Sequence, residues 1–285
     1  MSKTGTKKWT TGKKGSTQVP GQLYGYSVQE SRLLAHLLLA EEGDVVSLEV
    51  IDDVGVVGAT GTTAEQTKSG LAHNPISDLA KDLWKTLSNW LTAIRAGSLP
   101  SDAKFLLYVA QPHTGQVVQQ ISDAKTHAEA LALLRQLRDR FWGKPPAYKK
   151  RAKLGDEVAP HVNAILSAQD NVVVDLFRNF VIETAVANPN DDLNKLLRSK
   201  ALDDKAIDDV SRYLLGWVKK RSTSSSRVSF RQTSPTQTFT MLSLRRQRSS
   251  TQRTPSAPLP SRLVASRLKA TFALARTFAR FNSWS

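Results

Sequence analysis

Four polar side chains interrupt a stretch of this sequence that otherwise reads as β-structure. Glu49 and Asp53 fall in the Val-rich segment 45–57, and Gln66 and Lys68 fall in the next segment, 62–68. Side chains alternate along a strand. Glu49, Ile51 and Asp53 are therefore expected on one face, with Val46, Leu48 and Val50 on the other, while Gln66 and Lys68 share a face of their own strand. Gly58 to Gly61 reads as a turn, so the two segments form an antiparallel hairpin on which these faces can agree. Two carboxylates, one amide and one ammonium then converge. Half-buried carboxylates are costly unless they are paired or hold a cation. Hard oxygen donors of this kind suit Mg²⁺, which prefers octahedral oxygen coordination and keeps several waters. The chemistry indicated is metal-assisted hydrolysis of a phosphodiester, in which the ion polarises the phosphoryl oxygen and activates a bound water. Lys68 would orient that water and stabilise the developing negative charge. Asp53 is the expected main ligand, Glu49 supplies further charge, Gln66 offers a neutral carbonyl, and the Thr67 backbone carbonyl is a fourth donor. Asp52 points to the opposite face of a regular strand; a bulge would exchange its role with that of Asp53.

The elements that must position these residues follow from periodicity. Residues 27–41 read as an Ala/Leu-rich helix with a Ser27/Glu30 capping box, stopped by Gly43. A second helix is expected over 77–96, capped by Ser77, with Leu79, Leu83, Leu87, Trp90, Leu91 and Ile94 as its apolar stripe. Residues 103–111 read as a buried strand and 121–141 as a helix, and Pro145-Pro146 marks a hinge. Helices are expected over 156–169, 190–199 and 204–219, whereas 171–183 fits either a helix or a strand. The expected fold is α/β (or α+β): a mixed central sheet flanked by helices, with a helical C-terminal segment. The expected organisation is a disordered basic arm over 1–20, a core over 21–145, a mostly helical extension over 146–220 and a disordered tail over 221–285.

The tail is a different kind of sequence. The chain of 285 residues carries a net charge of +15, but residues 221–285 hold eleven Arg, one Lys and no acid, against 28 basic and 25 acidic residues in 1–220. The basic balance therefore belongs to the tail and says little about the body. A stretch with 23 Ser/Thr in 65 positions and no acid reads as a solvated, disordered segment. A shifted reading frame is the other account. Arg221 to Arg227 can be encoded so that one added base yields Arg-Ile-Asp-Glu-Leu-Ile-Glu, a natural continuation of the preceding helix. There is no Cys, which excludes disulfides, thiolate metal sites and a thiol nucleophile. No apolar run long enough to span a bilayer occurs, and the Lys-rich N-terminus lacks the apolar core of a signal peptide, so a cytoplasmic protein without a membrane partner is expected.

Asp53, followed by Gln66-Thr67-Lys68 on the adjoining strand, resembles the D…(D/E/Q)xK motif of the PD-(D/E)xK nuclease superfamily. The order helix, strand, strand, helix, strand is also similar to that restriction-endonuclease-like core. Gly25-Tyr26-Ser27-Val28-Gln29, Glu49-Val50-Ile51-Asp52-Asp53-Val54, Glu65-Gln66-Thr67-Lys68-Ser69 and Leu83-Trp84-Lys85-Thr86-Leu87-Ser88-Asn89-Trp90 together resemble double-stranded DNA nuclease domains of bacterial antiphage defence, including effectors associated with cyclic-nucleotide signalling. The resemblance covers residues 20–145 well and 146–220 loosely. It implies Mg²⁺-dependent cleavage of double-stranded DNA (Mn²⁺ being the alternative ion), with Asp53, Gln66 and Lys68 catalytic and Gln29 near the site. Gln66 replaces the commoner Glu. The resemblance also implies defence-system partner proteins, although the sensor or partner-binding region that usually follows the nuclease is replaced here by the tail.

Blander readings compete with these. Glu49 and Asp53 can form a solvated strand face, and Lys68 a surface ion pair with Glu65 or Asp53. Trp84 and Trp90 read as core residues and His36 as structural, while His73 and His113 lie in loops without metal-ligand spacing. Lys149-Lys150-Arg151 with Lys153, like the N-terminal lysine pairs, reads first as a solvated linker and second as a phosphate contact. Gly12 to Gly15 lacks P-loop spacing. Three functions follow: a DNA endonuclease, an inactive nuclease-like scaffold or partner-binding subunit, and a nucleic-acid binder acting through the basic tail.

Overall fold

The Ala/Leu-rich segment folds as helix α1 (Val19–Leu39), which starts before the expected capping box, so Ser27 and Glu30 lie inside it. There the Ser27 hydroxyl donates to the Tyr24 carbonyl. The computed structural model describes residues 19–186, 189–199, 204–222, 227–234, 238–242 and 268–270. The expected arm therefore lies outside the described residues up to position 18, as does Gly12 to Gly15.

The Val-rich segment is not one strand. It divides into β1 (Val45–Leu48) and β2 (Val54–Gly58), which pair antiparallel with Leu48 opposite Val54. Residues 49–53 reverse the chain, closed by the Glu49 N–H donating to the Asp53 carbonyl at 3.1 Å. Glu49 sits at φ +54°, in the left-handed region that a continuous strand excludes. Val content alone suggested continuity, whereas the polar Asp52-Asp53 pair supports the turn. The tight turn at Ala59-Thr60, with Gly61 at φ +123°, then leads into β3 (Gly61–Lys68), antiparallel to β2 as expected.

Helix α2 (Lys81–Arg95) begins four residues after Ser77, behind an extended Ala80, and Leu79 is exposed rather than part of the stripe. The adjacent Asp78 links three helices instead. Its Oδ1 accepts the Val117 N–H at 2.9 Å, its other oxygen binds Arg140, and its carbonyl accepts the Trp84 indole N–H at 2.9 Å. Strand β4 (Lys104–Val109) follows, parallel to β3. The helix expected over 121–141 is two helices, α3 (Gln116–Asp123) and α4 (His127–Phe141), with a Thr126/Glu129 capping box starting the second. Beyond a 3₁₀ turn at Arg151–Lys153 come α5 (Ala159–Leu166) and α6 (Asp170–Arg178). The ambiguous segment 171–183 is both elements in turn, since β5 (Phe180–Thr184) follows α6 directly and pairs parallel with β4. Helices α7 (Pro189–Ser199) and α8 (Asp204–Ser222) complete the body.

The fold is α/β, with one mixed sheet in the order β5-β4-β3-β2-β1, continued by β6 (Val228–Ser234), β7 (Thr238–Leu242) and β8 (Leu268–Ala270). Helices α2 to α6 cover one face around Trp84, Leu87, Phe105, Leu107, Leu134, Phe177 and Phe180. Helices α1, α7 and α8 cover β1, β2 and β6 on the other, around Leu33, Leu37, Val46, Leu197, Val218 and Phe230. Segment 146–220 thus contributes a strand and both helix layers to a shared structure. No described helix is long and apolar enough to cross a membrane.

The segment expected to be unfolded from 221 enters this sheet. Helix α8 runs to Ser222, and β6 (Val228–Ser234) pairs antiparallel with β1, with Val46 opposite Phe230. Strands β7 (Thr238–Leu242) and β8 (Leu268–Ala270) extend the same edge. Phe230 is buried, and its ring lies 5.3 Å from that of Trp217. Compositional bias hid a short alternating run, Val228, Phe230, Gln232, that places two apolar side chains on the core face. Residues 243–267 and 271–285, which the expected tail also included, lie outside the described residues.

A buried carboxylate ties α1 to β3. Glu65 is fully buried, and Arg32 grips it with two hydrogen bonds, 2.6 and 2.9 Å. His36, one helical turn on, reaches the same carboxylate at 2.6 Å. Burial alone would raise the Glu65 pKa, but the hydrogen bonds from His36 and Arg32 outweigh it and hold the carboxyl below its usual range. Arg32 also contacts Glu183 at 3.1 Å and lies 4.1 Å over the Tyr108 ring, whose hydroxyl donates to Asp192 at 3.0 Å.

Two substitutions test these packing statements by urea denaturation. Phe230→Ala should cost about 3–5 kcal/mol; a change within about 0.5 kcal/mol would show that β6 does not belong to the core. Glu65→Leu, which removes the buried carboxylate shared by Arg32 and His36 and leaves Arg32 only the more exposed Glu183, should cost about 3–5 kcal/mol.

Candidate functional site

The site forms where three chain segments end together: the 49–53 turn, the C-terminal end of β3 and the N-terminal half of α1. All three hydrogen bonds to the Asp53 carboxylate fall on Oδ2. They come from the Thr67 backbone N–H at 2.8 Å, the Thr67 hydroxyl at 2.8 Å and the Gln66 amide. In an extended strand the N–H and C=O of one residue point the same way, so the Thr67 carbonyl also lies on the Asp53 side of β3. Glu49 reaches across to α1, where its Oε1 accepts the Gln29 amide at 3.1 Å.

Glu49 and Asp53 do come together, but not along a strand face as the alternation argument required. They meet across the base of the turn. Asp52 goes to the α2 side, where its Oδ2 accepts the Trp90 indole N–H and its Oδ1 accepts the Asp53 backbone N–H at 3.0 Å. No bulge exchanges the two aspartates. Gln66 meets Asp53 directly. Lys68, at the end of β3, lines a cleft of about 230 Å³ with Gln29, Thr67, Gly70, His73 and Asp82. Glu65 faces α1 and is held there by Arg32 and His36, so the alternative pairing of Lys68 with Glu65 does not form.

The acids of the turn act on one another. Burial, and then the negative charge of Asp53, push the Asp52 carboxyl up to about 7, against the pull of Trp90, the Asp53 N–H and the Lys68 ammonium. Burial and Asp53 also raise Glu49, against the Gln29 hydrogen bond and the charge of Arg227. The Asp52 and Glu49 carboxyls thus both feel the charge of Asp53, with Lys68 the cation that acts on Asp52 and Arg227 the one that acts on Glu49. A cation added here would be stabilised by that surplus negative charge.

The donor set fits a hard divalent ion in kind. Asp53, Glu49, the Thr67 carbonyl and the Gln66 side chain would hold it through oxygen. Rotating the Gln66 amide by 180° puts its carbonyl oxygen where its nitrogen now faces Asp53, giving two adjacent oxygens. Among the described residues no three His, Cys, Asp or Glu side chains are grouped to hold a metal by themselves. The amide and the backbone carbonyl are therefore essential to the set.

Several participants escaped sequence reasoning. It assigned Arg32 no role and His36 only a structural one, yet their i, i+4 spacing puts both on one helix face, where they meet the same carboxylate. Trp90 packs in the core as expected and also donates to Asp52. His73 contacts Asp82 at 2.8 Å on the cleft wall, and His113 meets the Gly70 carbonyl at 2.7 Å, so neither loop histidine is isolated. Arg227 belongs to a segment set aside as tail. Comparison with family models, curated proteins and solved structures gives no match.

The raised Asp52 carboxyl has a thermodynamic signature. Its folded pKa of about 7 exceeds its unfolded value, so the folded state binds the extra proton and stability falls as pH rises from about 4 toward 7. Asp52→Asn should remove that decline. Urea unfolding at about pH 5 and about pH 8 measures it, and an undiminished decline in the variant would assign the slope to another group.

Proposed function

We propose that this chain is a Mg²⁺-dependent endonuclease that hydrolyses phosphodiesters of double-stranded DNA, acting in bacterial antiphage defence, with Mn²⁺ as the alternative ion. One observation carries the reading: Asp53, Gln66 and Thr67 meet where β2 begins and β3 ends, beside Glu49 and Gln29, and Lys68, the next residue of β3, lines the adjoining cleft with Thr67 and Gln29. The element order α1-β1-β2-β3-α2-β4 supports the resemblance to the PD-(D/E)xK core drawn from the sequence.

Asp53, Glu49, the Thr67 carbonyl and Gln66 would hold the ion, which supplies Lewis-acid polarisation of the phosphoryl oxygen and a lowered pKa for bound water. Gln29 holds the Glu49 carboxylate toward α1, limiting the rotamers it can adopt. Thr67 holds Asp53 through both its backbone and its hydroxyl, so the carboxylate is already oriented before substrate arrives. Lys68 stands in the cleft, where its ammonium can meet the negative charge that builds on the phosphoryl oxygens.

A second reading has its own observation. Asp53 Oδ2 is saturated by three protein donors. A carboxylate so satisfied can serve as a structural clasp between β2 and β3. That favours an inactive nuclease-like subunit whose partners are other defence proteins.

Plasmid DNA incubated with the full chain and Mg²⁺ separates the two. Cleavage should need the ion, and Asp53→Asn and Lys68→Ala should each lower its rate at least about 100-fold while circular dichroism stays unchanged. Undiminished cleavage by the folded Lys68→Ala protein would sink the assignment. A folded wild type that never cuts would favour the inactive subunit.

A further inference from the structure

The connection between α4 and α5 concentrates positive charge. Between Asp139 and Asp156 lie Arg140, Lys144, Lys149, Lys150, Arg151 and Lys153, with no acid among them. Arg140 is bound by Asp78. The other five are exposed, and among the described residues none of them pairs with a carboxylate.

A solvated linker would leave these charges on a chain with no fixed shape. Here the segment is held. Trp142 is buried, and its indole donates to Asn163 Oδ1 at 2.7 Å. The Arg151 guanidinium lies 4.5 Å over the Trp142 ring and its Nε donates to the same Asn163 oxygen at 3.2 Å. Tyr148 meets the tryptophan edge-on at 5.4 Å and keeps a φ of +40°, a conformation non-glycine residues adopt only where their surroundings enforce it. The backbone closes on itself through Lys150 N–H to Trp142 O at 2.8 Å, Arg151 N–H to Tyr148 O at 3.0 Å and Lys153 N–H to Lys150 O at 2.9 Å. Lys149, Lys150 and Lys153 are thus displayed on a fixed scaffold, and among the described residues none of them forms an ion pair with a carboxylate.

The charge continues over α5 to α2. Lys81 and Lys85, one turn apart on α2, both bear on His161 of α5, and together with its burial they hold the imidazole below its usual range. Lys81 is engaged by Glu157 at 3.2 Å, whereas Lys85 is exposed. Asp82, beside Lys81, lines the same cleft as Lys68.

We propose that the 144–153 loop, continued by Lys85, is a preformed surface for the phosphate backbone of duplex DNA, separate from the residues that would cut it. The proposal rests on reading the chain as a DNA nuclease. Lysines present point charges rather than planar bidentate forks, and the one arginine of the loop is already committed to Trp142 and Asn163. Such a surface grips phosphates without reading bases, so its binding is sequence-independent and strongly salt-dependent.

The test measures binding by the full chain to a fluorescent DNA duplex in EDTA, where metal-dependent cleavage plays no part, across a salt series. Lys149→Ala/Lys150→Ala/Lys153→Ala should weaken binding at least about tenfold near 0.1 M salt and lower the salt slope by roughly 2–3. The control, Arg95→Ala/Lys104→Ala, removes exposed cations at the C-terminus of α2 and the start of β4, away from the cleft, and should change neither. An unchanged slope in the triple variant, or an equal change in the control, would overturn the proposal. So would loss of binding to anionic phospholipid vesicles with duplex binding intact, which would assign the loop to a membrane surface. If the triple variant binds like the wild type while the wild type still cuts plasmid with Mg²⁺, this surface fails and the nuclease reading stands.

Discussion

The clasp of Arg32 and His36 on the buried Glu65 carboxylate is the interaction on which the rest of the site depends. Successive side chains of a strand face opposite ways. With Glu65 fixed toward α1, Gln66 and Lys68 must turn to the other face of β3, and Thr67 must share the α1 side. A slip of β3 by one residue would drive a carboxylate into the apolar layer around Trp84 and Phe105 and strand Arg32 without its acid. Both penalties oppose it. The electrostatic clasp therefore acts as a register pin, and the geometry near Asp53 inherits its precision from a group that takes no part in the proposed chemistry.

The 49–53 turn depends on that register. Its acids cannot spread along a strand, because Leu48 and Val54 are already paired and only five residues join them. The chain resolves the crowding by sending Asp52 to Trp90 on one face, Asp53 to Thr67 and Gln66 at the end of the sheet, and Glu49 to Gln29 on the other face. Each acid receives a neutral donor rather than a cation. Neutral donors orient carboxylates without neutralising them, so the local field stays negative, and the raised Asp52 carboxyl reflects that field together with its burial.

Much of this was legible in the sequence, for identifiable reasons. The α/β class and the β2–β3 hairpin followed from apolar alternation and turn residues, and the buried β4 from its apolar composition. The convergence of Glu49, Asp53, Gln66 and Lys68 was expected from a strand that does not exist; the turn brings the first three together by a shorter route and leaves Lys68 lining the adjoining cleft. What failed had a common cause. Helix starts at Ser27 and Ser77 were placed by local capping chemistry, whereas α1 already begins at Val19 and the bonds of Asp78 hold the chain ahead of α2. The Arg32–Glu65–His36 cluster joins residues some thirty positions apart, a pairing no local pattern encodes. Strand β6 was hidden because composition averages over a window, while a strand needs only a few correctly spaced apolar residues such as Val228 and Phe230.

That strand has a consequence for how the molecule is made. β1 is only four residues long, and one of its edges is paired by β2 while the other is paired by residues 228–234. During synthesis the first of those partners arrives almost at once; the second follows some 180 residues later. Through that interval β1 offers an open row of amide and carbonyl groups, the kind of edge on which strands of other chains can dock. A polypeptide ending near residue 220 would keep that edge open permanently. The basic C-terminal segment thus supplies the closing seam of the sheet, and shielding the nascent edge becomes a task for the ribosome, a chaperone or the speed of translation itself.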